Sequence, residues 1–150
     1  MQILVDADAC PIVVKEILFR AARRVQVSLI LVANRPLSVP RSNYIKSVQV
    51  SGGMDVADDK IVDMVQSGDL VITADIPLAD KVVKKGAFAL DHRGKLYTRT
   101  NVGQALSIRN FMTELRSGGV ETGGPSSFGQ KDRQAFADKL NQFLSKHNRN

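Results

Sequence analysis

One cysteine, Cys10, is all that 150 residues contain, so no internal disulfide framework holds this chain together. Of its two histidines, His147 lies in the tail and only His92 lies elsewhere, which leaves a histidine-based metal site or triad unsupported. No apolar run approaches the length needed to span a bilayer. The opening residues, Met1-Gln2-Ile3-Leu4-Val5-Asp6, lack the basic flank and long apolar region of a secretory signal. These absences predict a cytoplasmic protein with no membrane partner. Glutamate is scarce as well, because only Glu16, Glu114 and Glu121 among the fifteen acidic residues are glutamate.

The remaining twelve acids are aspartates, and seven of them fall in three short stretches: Asp6 and Asp8; Asp55, Asp58 and Asp59; Asp75 and Asp80. Setting these seven aside leaves eight acids against twenty-one Lys and Arg, on a chain of net charge +6. If the three stretches converge, a compact negative site sits on a basic surface. Metal ions suit such a site and a polyanion suits its surroundings. The length fits a single domain, residues 1–150, able to bury a core without staples, and the 43% hydrophobic content is ordinary for one.

The first apolar run, Ile3-Leu4-Val5, leads straight into Asp6-Ala7-Asp8 and then Cys10-Pro11. Alternate residues of a strand share a face, so Asp6 and Asp8 can point the same way at its end. A cap on the following helix for Asp8, and amide binding for Asp6, are the structural alternatives. Apolar residues at Val14, Ile17, Leu18, Ala21 and Val25 then follow a helical period. Residues 27–32 read as a buried strand, leading to a loop that carries Arg35 and Arg41, candidate phosphate contacts. A short strand at 47–50 and a glycine turn precede a helix over 55–66. There Asp55, Asp58 and Asp59 stand at i, i+3 and i+4 on its first turns. The helix dipole accounts for one or two acids at that position, but three adjacent ones repel each other.

Residues 70–73 form another buried strand, and Ala74-Asp75-Ile76-Pro77-Leu78-Ala79-Asp80 repeats the opening logic of strand, aspartate, proline and helix. Gly86 stops that helix near Lys85, residues 88–90 form a strand, and 95–98 a short hairpin partner. A helix over 101–116 places Ala105, Ile108, Met112 and Leu115 on one face. Asn101 and Gln104 suggest a capping box, and Arg109 sits mid-helix as a further candidate phosphate contact. The glycine-rich stretch near 117–129 reads as a linker or a substrate-contacting loop. It is not a phosphate-binding P-loop, because no Gly-Lys-Ser/Thr follows a strand. The last helix, 130–146, carries Phe136, Leu140, Phe143 and Leu144 on one stripe that packs on the domain or on a partner subunit.

Alternating strands and helices predict an α/β three-layer sandwich with a mostly parallel central sheet. Ligands of such folds bind beyond the carboxyl ends of the strands, where all three acidic stretches are expected. An oxygen-only donor set suits Mg or Mn as the divalent cation, whereas zinc favours His or Cys.

Four motifs together resemble the YaiI/YqxD family of bacterial proteins across nearly the whole chain. They are Asp6-Ala7-Asp8-Ala9-Cys10-Pro11, Gly53-Met54-Asp55-Val56-Ala57-Asp58, Thr73-Ala74-Asp75-Ile76-Pro77-Leu78-Ala79 and Gly123-Gly124-Pro125. That resemblance implies a fold similar to PIN-like nuclease domains, whose acidic residues bind Mg²⁺ or Mn²⁺ to cut RNA or DNA. By position, it makes Asp6, Asp58 and Asp75 the metal-binding, catalytic acids. Asp55 or Asp59 would accompany Asp58, with Asp8 and Asp80 auxiliary. A haloacid-dehalogenase-like phosphatase is the competing enzyme, because Asp6/Asp8 and Asp75/Asp80 match its spacing. Asn34 stands where it would need Ser or Thr, and Lys60 is a weak candidate for its lysine. A non-catalytic nucleic-acid-binding module is the third reading. Cys10 has no arginine at phosphatase spacing and no base partner, so it is expected to be a small buried residue.

Overall fold

The continuous apolar runs become the middle of one sheet in the computed structural model, which describes residues 1–124 and 126–148. Pro125 of the Gly123-Gly124-Pro125 motif, with positions 149 and 150, lies outside the described residues. β1 (Gln2–Asp6), β2 (Ser28–Ala33), β3 (Ile45–Gln49), β4 (Leu70–Ile72), β5 (Phe88–Leu90) and β6 (Leu96–Tyr97) line up in the order β3-β2-β1-β4-β5-β6. All neighbours pair parallel except β6, which runs antiparallel to β5. The strand expected at 47–50 starts two residues earlier, where Ile45 pairs with Leu29. Its polar look comes from being an edge strand, with Lys46, Ser47 and Gln49 exposed.

β1, β2 and β4 are buried on both faces, which is why they read as unbroken apolar runs rather than alternating ones. One layer of core joins Ile3, Val5, Leu29, Leu31, Leu70 and Ile72 to α1 (Ile12–Val25) and α5 (Gln130–His147). The opposite layer joins Leu4, Ile30, Val32 and Val71 to α2 (Val56–Met64), α3 (Ile76–Lys84) and α4 (Val102–Ser117). The molecule is therefore a three-layer α/β sandwich, as the alternation of elements predicts. Phe136, Leu140, Phe143 and Leu144 of α5 are all buried in this domain, which settles what that stripe packs against. No helix among the described residues is long and apolar enough to cross a membrane.

Two helices differ from expectation for local reasons. α2 begins after Asp55, whose φ of +64° lies in the left-handed region, and it ends at Met64 because Val65 is extended. Asp55 is thus the cap of α2 rather than part of it, though its carbonyl still accepts from the Asp59 amide at 2.8 Å. At α4, Asn101 makes no side-chain cap. It accepts from the Thr98 amide at 2.9 Å and donates to the Leu96 carbonyl at 2.8 Å, pinning the turn out of β6 instead.

α4 also reaches further than its neighbours. It starts beyond β6, at the amino edge of the parallel strands, and packs antiparallel along α3, which starts at their carboxyl edge. Its sixteen residues span about 24 Å against about 13 Å for the nine of α3, so it extends past α3. Only Val102 and Ala105 of α4 are buried; the apolar stripe expected to continue through Ile108, Met112 and Leu115 is not. The segment just before α5 lies beside the turn that follows β5. Arg93 of that turn holds it there, donating to Asp132 at 2.9 Å and to the Ser126 carbonyl, with its guanidinium over the Phe128 ring.

Candidate active site

β1 and β4 are neighbours, yet the chain leaves β1 toward β2 and leaves β4 toward β5. A crevice opens between strands that part in this way, at their carboxyl ends. Asp6 is the last residue of β1 and shares the face of Leu4, toward α2 and α3. Thr73, one residue past β4, donates its hydroxyl to Asp6 Oδ2 at 3.0 Å and accepts from the Asp75 amide, also at 3.0 Å. Asp75 in turn caps α3, its Oδ1 accepting from the Leu78 amide at 3.0 Å. Thr73 therefore ties the Asp6 carboxylate to the backbone of Asp75, while the Leu78 amide fixes the Asp75 carboxylate. Oδ1 of Asp6 and Oδ2 of Asp75 keep no hydrogen bond among the described residues.

Asp58 reaches the same place from the first turn of α2. Its carboxyl is pushed up to about 6, first by burial and then by the carboxylates of Asp6, Asp75 and Asp55, while Lys81 opposes the rise. Asp6 is also raised, mainly by burial and further by Asp75 and Asp8, against the hydrogen bond from Thr73. The three sit as a mutually repelling set, but among the described residues no group of three His, Cys, Asp or Glu converges tightly enough to hold a metal ion by itself.

The outer four acids divide. Asp55, exposed, is close enough to act on Asp58. Asp59 is exposed in the first turn of α2. Asp80 is tied to Lys84 at 2.8 Å within α3. Asp8 caps neither α1 nor any helix; its two oxygens accept from the Asn34 amide at 3.2 and 2.9 Å, with Arg35 Nε 4.0 Å away. Asp8 thus pins the β2–β3 connection, and Arg35 already has a carboxylate beside it. Arg41 is exposed on that connection, and Arg109 is exposed on α4, donating to Asn110 at 3.2 Å. Cys10 is buried, and burial pushes its thiol up to about 12, so it is no nucleophile.

Residues 4–146 match the family model described as the uncharacterised YaiI/YqxD family. The chain belongs to the YaiI/YqxD family. It is 59% identical over 146 residues to a UPF0178 protein of Dechloromonas aromatica, covering 97% of each chain. A UPF0178 protein of Cupriavidus necator is 56% identical over 147 residues, 98% of this chain and 96% of its own. One of Shewanella amazonensis is 57% identical over 146 residues, 97% and 98% of the two chains. No solved structure matches it. The YaiI/YqxD match spans all three acidic stretches together with α4 and most of α5.

Two residues of this YaiI/YqxD site were not singled out by the sequence. The only signal for Thr73 is a hydroxyl between a strand end and an aspartate. Lys81 lies on α3 with nothing in the sequence to pair it with Asp58. His92, in the turn after β5, is buried with no hydrogen-bond partner for its Nε2 among the described residues, and burial holds its pKa below the usual imidazole value.

Proposed function

We propose that this chain is a divalent-metal-dependent nuclease that hydrolyses phosphodiesters of RNA or DNA at Asp6, Asp58 and Asp75. The observation that carries the reading is that these carboxylates are delivered from three separate connections to the crevice between β1 and β4, where Thr73 links Asp6 to Asp75. Carboxylates held together in this way lower their energy by sharing a cation. The donor set is all oxygen, which suits Mg²⁺ or Mn²⁺, and these ions commonly take one or two carboxylates and complete their shell with water. Asp6, held by the Thr73 hydroxyl, and Asp75, held by the Leu78 amide, each with a spare oxygen, would hold the ion, with Asp58 joining through its own carboxylate or a water. Bound there, the cation supplies a polarised water and neutralises charge building up at the phosphorus. The excess of twenty-one Lys and Arg over the eight acids outside the three aspartate stretches, with Arg41 and Arg109 among the cations, favours a polyanionic substrate. The resemblance to PIN-like nuclease domains points the same way.

A haloacid-dehalogenase-like phosphatase fits less well. It needs Asp6 and Asp8 to work on one phosphorus, whereas Asp8 is held by the Asn34 amide, and Asp80, the partner it needs for Asp75, is tied to Lys84. The test is cleavage of labelled single-stranded RNA and DNA in Mn²⁺ or Mg²⁺. Wild type is expected to cut, and Asp6→Asn or Asp75→Asn to lose at least a hundredfold in rate, in line with removal of a metal-ligating carboxylate. No cleavage by wild type, or equal cleavage by Asp6→Asn, sinks the reading. Salt-dependent binding without turnover makes the chain a binding module instead.

A further inference from the structure

α4 keeps an apolar stripe that the domain does not cover. Ile108, Phe111, Met112 and Leu115 stand at i, i+3, i+4 and i+7, which puts them side by side within about 100° of the helix circumference. Phe111 is 58% exposed and Ile108 55%, while Met112 and Leu115 are partly exposed and pack against neither core layer. The stripe ends in a left-handed turn at Gly119, where the Val120 amide donates to the Leu115 carbonyl at 2.9 Å. Apolar side chains adjoining along one helix are more than the scattered exposure of an ordinary surface. One flank of the stripe is cationic. Arg109 and Arg116 lie seven residues apart on the same side of it, and neither has a carboxylate partner among the described residues. Arg109 donates only to the Asn110 side chain and Arg116 only to the Thr122 hydroxyl, each at 3.2 Å. Glu114, the one acid in α4, lies about 140° and about 160° around the helix from them.

We infer that this face docks an amphipathic helix of another protein, one with apolar residues at three- and four-residue spacing and carboxylates along one flank. From Ile108 to Leu115 the stripe runs about 10 Å, which suits two to three turns of helix laid along it. Charge decides against a second copy of this chain. An antiparallel pair of α4 helices brings like flank to like flank, so the two rows of Arg109 and Arg116 face each other and repel. A parallel pair sets that row against the opposite flank, where Gln104 and Phe111 stand and no acid does. In neither arrangement does a copy supply carboxylates to the two arginines, whereas a partner helix with acids in register supplies both. The inference does not rest on the nuclease reading, since it draws on none of Asp6, Asp58 and Asp75.

Fluorescence anisotropy tests the docking, with the full chain titrated into labelled helical peptides of about 15 residues. The acidic peptide carries leucine at three- and four-residue spacing, flanked by glutamates. One control has lysine for each glutamate, and another has alanine for each leucine. The acidic peptide is expected to bind about tenfold tighter than either control, with a smaller margin over the lysine peptide at high salt. Phe111→Ala and Ile108→Ala each weaken it about fivefold and leave the melting midpoint unchanged, because both side chains are exposed. The double variant Arg109→Glu/Arg116→Glu reverses the preference, so that the lysine peptide binds tighter. No binding of the acidic peptide, or a preference that survives the arginine reversal, overturns the inference. Equal binding of the alanine control also overturns it and leaves only a general attraction for polyanions. A dimer of the peptide-free chain in sedimentation velocity that Phe111→Ala dissociates overturns it too, and gives the stripe to a second copy.

Discussion

Replacing Asp58 with Asn tests whether the acidic set is a stored repulsion. In the folded chain the Asp58 carboxyl is pushed from 3.8 up to about 6, so between those values the folded state binds more protons than the unfolded one. Stability therefore falls as pH rises through that window, and the full penalty applies above about pH 6. Two units correspond to about 3 kcal/mol as a ceiling. Asp58 is only half-buried, so solvent screening reduces this to about 1.5 kcal/mol. The dipole at the start of α2 favours the charge by about 0.5 kcal/mol and works the other way. Without divalent cation at pH 7.5, Asp58→Asn is thus expected to stabilise the chain by about 1 kcal/mol, raising the melting midpoint by about 3 °C. At pH 4 the carboxyl is largely protonated and the two proteins should melt nearly together. Scanning calorimetry in EDTA across pH 4 to 8 measures the difference. A variant no more stable than wild type at pH 7.5, or one whose advantage persists undiminished at pH 4, refutes the reasoning.

Two further substitutions address the frame of the site. Gly94, at φ +90°, would place a Cβ 2.7 Å from the Ala135 carbonyl oxygen in α5, so Gly94→Ala is expected to cost about 3 kcal/mol in urea unfolding. Gly103→Ala, in α4 with open space around it, should instead stabilise by about 0.5 kcal/mol, and equal effects of the two would undo the steric account. Asp69, 4% exposed, accepts from the Gln2 amide at 3.1 Å, the Gln2 side chain at 2.9 Å and the Gln66 amide at 2.8 Å. It sits at the amino edge, so Asp69→Ala should lose about 3 kcal/mol of stability yet leave nucleic-acid cleavage unchanged below its melting range. A selective loss of cleavage without loss of stability would contradict a purely structural role.

Much of this was legible along the chain. The apolar runs at residues 3–5, 27–32 and 70–73 announced buried parallel strands, because such strands are covered on both faces. Pro11 and Pro77 marked helix starts, and the stripe on α5 is buried as its period suggests. Reading failed where tertiary surroundings decided. Asp8 looked equivalent to Asp6 by alternation, but the strand ends at Asp6, and Asp8 turns to the Asn34 amide. Asp55 looked helical until its positive φ took it out of α2. The stripe on α4 looked like core, yet only Val102 and Ala105 of that helix are buried.

Local sequence alone determined the elements and the placement of aspartates at three strand-to-helix junctions, because periodicity and capping act over a few residues. The strand order decided the rest. Putting β4 beside β1 joined Asp6 to Asp75 through Thr73, and laying α2 on the same face brought Asp58 against both. No interaction between neighbours in sequence specifies those meetings. They follow from burying both faces of one sheet, which a chain does only as a whole.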